Sequence, residues 1–198
     1  MKYLLDLDMD KCISCGACAV ACMDQHDTNL EHGDPALRWV TRLERQQGER
    51  VAFLGLSMAC MHCNDAPCVT GCPVGCLHKD PETGMTVVNP THCIGCHSCA
   101  MACPFGAPKF DPQGKIVKCD GCAERIAAGE SPVCVEACPA RALAFGTVED
   151  MEKLGERANI APLPEASLTT PNLFVKACAD AQPSDSRAGK IVNPLEVL

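Results

Sequence analysis

Sixteen of the chain's 18 cysteines fall into four tight runs of four, and three of those runs end in Cys-Pro. The first run is Cys12, Cys15, Cys18 and Cys22, and the second is Cys60, Cys63, Cys68 and Cys72 before Pro73. The third is Cys93, Cys96, Cys99 and Cys103 before Pro104, and the fourth is Cys119, Cys122, Cys134 and Cys138 before Pro139. Thiols at this density restrict the fold more than any apolar pattern does, because each run has to converge on something that uses four sulfurs.

Runs one and three carry the C-x2-C-x2-C-x3-C spacing of bacterial ferredoxins, and run three adds the proline. A cubane offers four iron corners, and two intervening residues let a short loop reach three of them in succession. The fourth cysteine lies one helical turn further on and serves the neighbouring cubane. Small residues between the ligands (Ser14, Gly16, Ala17, Gly95, Ser98) let the backbone approach and aim N–H groups at sulfur. The expectation is four [4Fe–4S] clusters with the sixteen cysteines as iron ligands. Zinc ribbons also use C-x-x-C pairs, but zinc has no use for the third cysteine or for a fourth before proline. A disulfide framework needs a secreted context, and the start of the chain shows no apolar signal segment.

If the chain holds two ferredoxin units, one inserted in the other, run one pairs with run four and run two with run three. Cys12, Cys15, Cys18 and Cys138 then hold one cubane, and Cys22, Cys119, Cys122 and Cys134 its neighbour. Cys60, Cys63, Cys68 and Cys103 hold the third, and Cys72, Cys93, Cys96 and Cys99 the fourth.

Without its cysteines the 47% hydrophobic share falls to roughly 38%, thin for a 198-residue globular chain. Clusters are expected to serve as the interior, so that a chain without iron and sulfide stays largely unfolded. A net charge of −8 and no basic stripe argue against nucleic acid. No 18-residue apolar run is present, so membrane contact has to come through a partner. Oxygen-sensitive thiolates point to assembly in a reducing cytoplasm, as a soluble subunit that can lie peripherally at the cytoplasmic membrane.

The expected architecture is α+β: two ferredoxin-like modules, one inserted in the other, with a β-hairpin insertion and an extended C-terminal strap. Residues 1–58 form the first half of one module with the hairpin, 59–110 the inserted module, and 111–146 the second half of the first. Residues 147–198 form a strap that docks on a partner. Tyr3–Asp8 reads as a first strand; Ala36–Arg45 and Arg50–Met58 as a hairpin turning at Gln47-Gly48, with Trp39 as its packing anchor. Gly84–Val88 and Ala142–Gly146 are matching strands, and Ala123–Ala128 is a helix ended by Gly129. Thr147 with Asp150 caps a helix running to Gly155, and Leu173–Val175 is a strand.

From end to end the chain resembles the iron–sulfur subunit of dimethyl sulfoxide reductase and its relatives in polysulfide, tetrathionate and formate enzymes. The resemblance is carried by the four runs in order, by Cys93-Ile94-Gly95-Cys96 and by Met101-Ala102-Cys103-Pro104-Phe105-Gly106-Ala107-Pro108. Lys118-Cys119-Asp120-Gly121-Cys122, Val135 to Leu143, Ala161-Pro162-Leu163-Pro164, Thr170-Pro171-Asn172 and Asn193-Pro194 continue it. It implies an electron-transfer subunit without a catalytic site of its own, a partner with a molybdenum or tungsten bis-pterin cofactor, and a membrane subunit exchanging electrons with quinol. The acidic loop Asp24–Pro35 departs from the family pattern. A second reading is a polyferredoxin of a hydrogenase, carbon monoxide dehydrogenase or tungsten aldehyde oxidoreductase, against which the long strap argues. Lys11, Lys109 and Lys118 lie near the runs, where positive charge favours a reduced cluster. His62 and His97 lie inside complete quartets and are not expected as ligands; Cys76 reads as a small buried residue and Cys178 as a free thiol.

Overall fold

The computed structural model describes residues 3–196. Residues 1–2 and 197–198, the ends of the segments expected as the first module and the strap, lie outside that range. In chain order the regular elements begin with β1 (Tyr3–Asp8), α1 (Ala17–Gln25), β2 (Trp39–Gln47), β3 (Arg50–Met58), α2 (Pro67–Thr70), β4 (Leu77–Lys79) and β5 (Thr86–Val88). They continue with α3 (Ser98–Ala102), β6 (Lys109–Phe110), β7 (Ile116–Val117), α4 (Ala123–Ala127) and α5 (Val133–Glu136). The last are β8 (Leu143–Thr147), α6 (Val148–Met151), β9 (Glu156–Arg157), β10 (Leu173–Lys176) and β11 (Lys190–Ile191).

β1 places Leu5 and Leu7 on one face and Asp6 and Asp8 on the other, as strand alternation requires. It is a central strand in the order β8-β1-β10-β9, antiparallel to β8 and parallel to β10. Leu7 stands opposite both Leu143 and Val175, and all three are buried. The segment expected as a strap therefore supplies two of the four strands of this sheet. Phe174 on β10 is only 2% exposed, and the last polar stretch lies along the chain's own hairpin through the β11–β2 pairing. β1 alone offers too little apolar surface for a sheet, and the apolar Leu173–Val175 completes it.

The hairpin β2–β3 pairs Gln47 with Arg50, so its turn residues are Gly48 and Glu49, one position beyond the expected pair. Gly48 takes the left-handed φ of 60° required at that place. β2 begins at Trp39, later than Ala36, because its partner strand ends at Met58 and the chain then leaves for the second cysteine run. Trp39 is buried, as its anchoring role demands. β5 starts two residues after Gly84, where the chain turns back so that Asp80 N–H reaches Met85 O at 2.8 Å. α4 ends ahead of Gly129, which has the positive φ of a helix stop. Thr147 caps α6 by accepting from Asp150 N–H; that helix ends at Met151, ahead of Gly155.

Among the described residues twelve cysteines are buried, against three tryptophan and phenylalanine side chains. The interior is built of thiols with an aliphatic margin of Leu7, Leu43, Leu56, Leu77 and Ile116.

Candidate metal centres

Each of the four C-x-x-C segments bends the same way. The residue just before the second cysteine is left-handed in every run: Ser14 at φ 56°, His62 at 44°, Gly95 at 68° and Gly121 at 77°. Two of these are not glycine, and a side chain in that region is strained. The bend turns backbone N–H groups toward the first thiol of the run. Gly95 N–H donates to Cys93 Sγ and Gly121 N–H to Cys119 Sγ, each at 3.4 Å, and Ser14 N–H does the same for Cys12. Amide donors gathered around sulfur stabilise a thiolate or a sulfur bound to metal, and have little purpose around a neutral thiol.

Four short helices carry the thiols in two packed pairs, α1 with α5 and α2 with α3. On α1, Cys18 and Cys22 are one turn apart and belong to different cavities. Cys12, Cys15, Cys18 and Cys138 line one cavity with about 330 Å³ of free space, and Cys60, Cys63, Cys68 and Cys103 line another of about 350 Å³. Between them a larger cavity is lined by Cys22, Cys119, Cys122 and Cys134. Ser57 and Leu143 line both the first and the middle cavity, while Cys60 and Met61 line both the middle one and the Cys60 cavity. The remaining four thiols are linked to one another: Cys96 feels Cys72, and Cys99 feels Cys93 and Cys96. All eighteen cysteines are free thiols.

The electrostatics match a donor set for a cationic group. Burial pushes the Cys22 thiol up to about 12 against the pull of Arg38, and burial likewise raises Cys68 to about 12 and Cys63 to about 11. Burial raises Cys119 further, again opposed by Arg38. Thiols held so far up are inert as nucleophiles, and ionise when a metal displaces the proton. Sixteen sulfurs in groups of four with amide donors, and no carboxylate in the walls of the three cavities, therefore fit [4Fe–4S] chemistry.

Sequence reasoning passes over Arg38. This guanidinium is only 3% exposed, donates from Nη1 to Ser57 Oγ at 2.8 Å, and Ser57 Oγ lies 3.2 Å from Cys18 Sγ. Cys134, Cys119, Cys18 and Cys22 all surround it, so one buried cation faces two thiol groups at once. No pattern marks it; an arginine before a hairpin reads as a surface residue. Asn172 is also missed as a site residue: its N–H donates to Met61 O at 2.9 Å and its side-chain amide to His62 O at 2.8 Å. The residue leading into β10 thereby pins the second cysteine loop.

Of the three lysines, only Lys118 is buried at the thiols, donating to Cys119 O at 2.7 Å and drawing on Cys68 and Cys119. Lys109 lies 5.4 Å over the Trp39 ring, and Lys11 pairs with Asp8 at 3.3 Å. His62 is buried with Nδ1 accepting from Thr86 N–H at 3.1 Å; burial, then Lys118 and Lys79, keep the imidazole neutral. His97 stacks on Phe110 at 3.7 Å. Cys76 is buried and Cys178 half-buried against the core. His26 in the acidic loop reaches Asp120 at 3.5 Å.

No helix of the described residues is long and apolar enough to cross a membrane. The family model of the 4Fe-4S dicluster domain matches residues 51–148, a span holding the second, third and fourth runs. The chain is 39% identical over 203 aligned residues to the B subunit of anaerobic dimethyl sulfoxide reductase from Escherichia coli strain K12, covering 99% of this chain and 98% of that one. Against the corresponding B subunit of Haemophilus influenzae the identity is 38% over 204 residues, with 99% of both chains covered. A thiosulfate reductase electron transfer subunit of Salmonella typhi is 39% identical over 154 residues, covering 76% of this chain and 79% of its own. With thiols gathered four by four and likeness running the whole length, the chain belongs to the family of iron–sulfur B subunits of anaerobic dimethyl sulfoxide reductase.

Proposed function

We propose that the chain is the electron-transfer subunit of a reductase complex and holds four [4Fe–4S] clusters in a row. The ligand sets are Cys12, Cys15, Cys18, Cys138; Cys22, Cys119, Cys122, Cys134; Cys60, Cys63, Cys68, Cys103; and Cys72, Cys93, Cys96, Cys99. The observation that carries this reading is that three cavities each gather three thiols of one run with one of its partner run, Cys60 reaching the middle cavity as a fifth, and that neighbouring cavities have walls in common. When bound, each cluster supplies a one-electron couple whose potential depends on nearby charge, burial and hydrogen bonds to sulfur. The chain's own residues hold the thiols four by four, exclude water with Leu7, Val40 and Leu143, and set the local field through Arg38 and Lys118. Residues 59–110 form a module inserted between 1–58 and 111–146.

The outer ends of the row are its contacts with partners. Cys15 and Cys96 are exposed, and each lies beside exposed apolar side chains: Ile13 and Val20 at one end, Ile94 and Met101 at the other. One end faces a catalytic subunit with a molybdenum or tungsten bis-pterin cofactor, and the other a quinol-reactive membrane subunit or a soluble carrier. The exposed side of residues 147–198, with Leu168 outward, adds to the partner surface.

Anaerobic purification with its neighbours tests the reading. About sixteen irons and as many acid-labile sulfides per chain, cubane EPR signals on reduction, and molybdenum or tungsten in the large subunit are expected. Nickel in that subunit favours the polyferredoxin reading, and a colourless yet cooperatively folded chain overturns cluster binding altogether.

A further inference from the structure

Cys76 belongs to none of the four thiol sets, yet its sulfur lies 3.4 Å from Cys72 Sγ and within hydrogen-bonding reach of Cys93. Its place in the fold is defined by an internal comparison. Each Cys-Pro run is followed, four residues after its last cysteine, by a small residue that is 3% exposed: Cys76, Ala107 and Ala142. In all three the preceding residue is left-handed, Gly75 at φ 64°, Gly106 at 65° and Arg141 at 50°. The backbone N–H of the small residue then donates to the last cysteine of the run. Ala142 N–H reaches Cys138 Sγ at 3.2 Å, and Ala107 and Cys76 do the same for Cys103 and Cys72. The fold asks this position only for a small side chain and an N–H. Alanine suffices twice, so the thiol at Cys76 goes beyond what packing requires.

We propose that Cys76 is a reserve fifth ligand of the Cys72, Cys93, Cys96, Cys99 site, an inference that rests on the cluster reading above. With Cys72 in place, Cys76 stays outside the ligand set, its sulfur 3.4 Å from Cys72 Sγ. When Cys72 is lost, the Cys76 S–H bond breaks, its proton leaves to solvent, and sulfur forms the bond to the vacated iron corner. No electron changes hands in this ligand exchange. The site is anchored for it: Cys76 O accepts from Asn89 N–H at 2.7 Å, and Leu77 begins the β4–β5 pairing with Val88. Only the side-chain torsion and the short Pro73–Gly75 loop need to move.

The test uses the full chain purified anaerobically, in the wild type and in C76A, C72S and C72S/C76S. Iron and sulfide content is measured with EPR in the oxidised and reduced states. Full iron is expected in the wild type, in C76A and in C72S, with a changed signal shape for one reduced cubane in C72S. The double variant is expected to lose one iron and show an oxidised three-iron signal, or to lose that cluster. Equal loss of iron in C72S and C72S/C76S, including equal failure to fold, overturns the proposal, as does loss of iron in C76A alone. A wild-type chain without a cluster at Cys93 brings down both readings; full wild-type iron with C72S matching the double variant brings down this one alone.

Discussion

The loop from Cys12 to Cys22 and the loop from Cys93 to Cys103 are nearly the same object locally. Both present an isoleucine after the first cysteine, Ile13 at 68% and Ile94 at 63% exposure, and both leave the second cysteine exposed. Both take left-handed turns at matching places, Ser14 and Gly16 in one, Gly95 and His97 in the other. Their surroundings diverge. The first loop runs on into the nine-residue α1 and abuts Ser57, which carries the buried Arg38 behind it. The second stops after the five-residue α3, with Pro104 following, and has Cys76 against its first cysteine and Lys115 bonded to Cys93 O. Spacing makes the cradle; the elements packed behind it make the electrical environment.

The largest effect tests what the two loops share. Stripping iron with a chelator and an oxidant is expected to unfold both alike, with a loss on the order of 10 kcal/mol, since binding free energy here is folding free energy. Hydrogen exchange at α1 and α3 reads the outcome, and sustained protection of either helix breaks the equivalence.

Next comes a wedge specific to one loop. A Cβ at Gly55 would overlap Ser14 Oγ and come within 3.0 Å of Cys12 Sγ, so Gly55→Ala is expected to cost about 1–3 kcal/mol. Only the EPR signal of the Cys12 cluster should distort. At Gly95, with φ +68° and a Cβ 2.8 Å from Gly114 O, the same change should distort the Cys93 cluster instead.

A third change leaves packing nearly intact and removes charge. Arg38→Met is expected to lower the reduction constants of the Cys12 and Cys22 clusters about tenfold, ~59 mV for a one-electron couple, with the Cys93 cluster unmoved. Arg38→Lys should recover part of the shift. A redox titration followed by EPR measures it, and a uniform shift of every cluster signal refutes the local role.

The smallest effect depends on pH and on β1, which leads into the first loop; β5, ahead of the third run, carries no carboxylate. Burial, with help from Asp8, raises Asp6 to about 6. An unfolded aspartate ionises near ~3.9, so the folded state holds this proton longer, and stability is lost as pH rises from about 4 through about 6. Asp6→Asn should match the wild type below that window and exceed it above by on the order of 1 kcal/mol. Denaturant titrations at about pH 4 and pH 8 decide it.

Much of the site is legible in the chain. The C-x-x-C spacings locate the cradles, the small residues Ser14, Gly16 and Gly95 mark where the backbone turns onto sulfur, and Gly129 marks a helix end. These are local properties, fixed within a few bonds of the residues concerned. The hairpin turn reads one residue early from sequence, because register follows from which strands pair and for how long. Sequence proximity makes Lys109 and Lys11 neighbours of the thiols, yet it says little about where a flexible side chain ends. Arg38 and Asn172 are invisible for the opposite reason, each acting on residues far along the chain.

What the sequence by itself determined, then, was the chemistry: how many sulfurs, in which runs, with what local bends. Only the tertiary structure decided that Cys138 joins Cys12 in one cavity wall, that Leu173–Lys176 closes the chain's own sheet, and that one buried guanidinium faces two thiol groups. Ligand spacing is set by covalent geometry over a handful of residues. Burial and field are sums over everything packed nearby, and no short stretch of chain contains them.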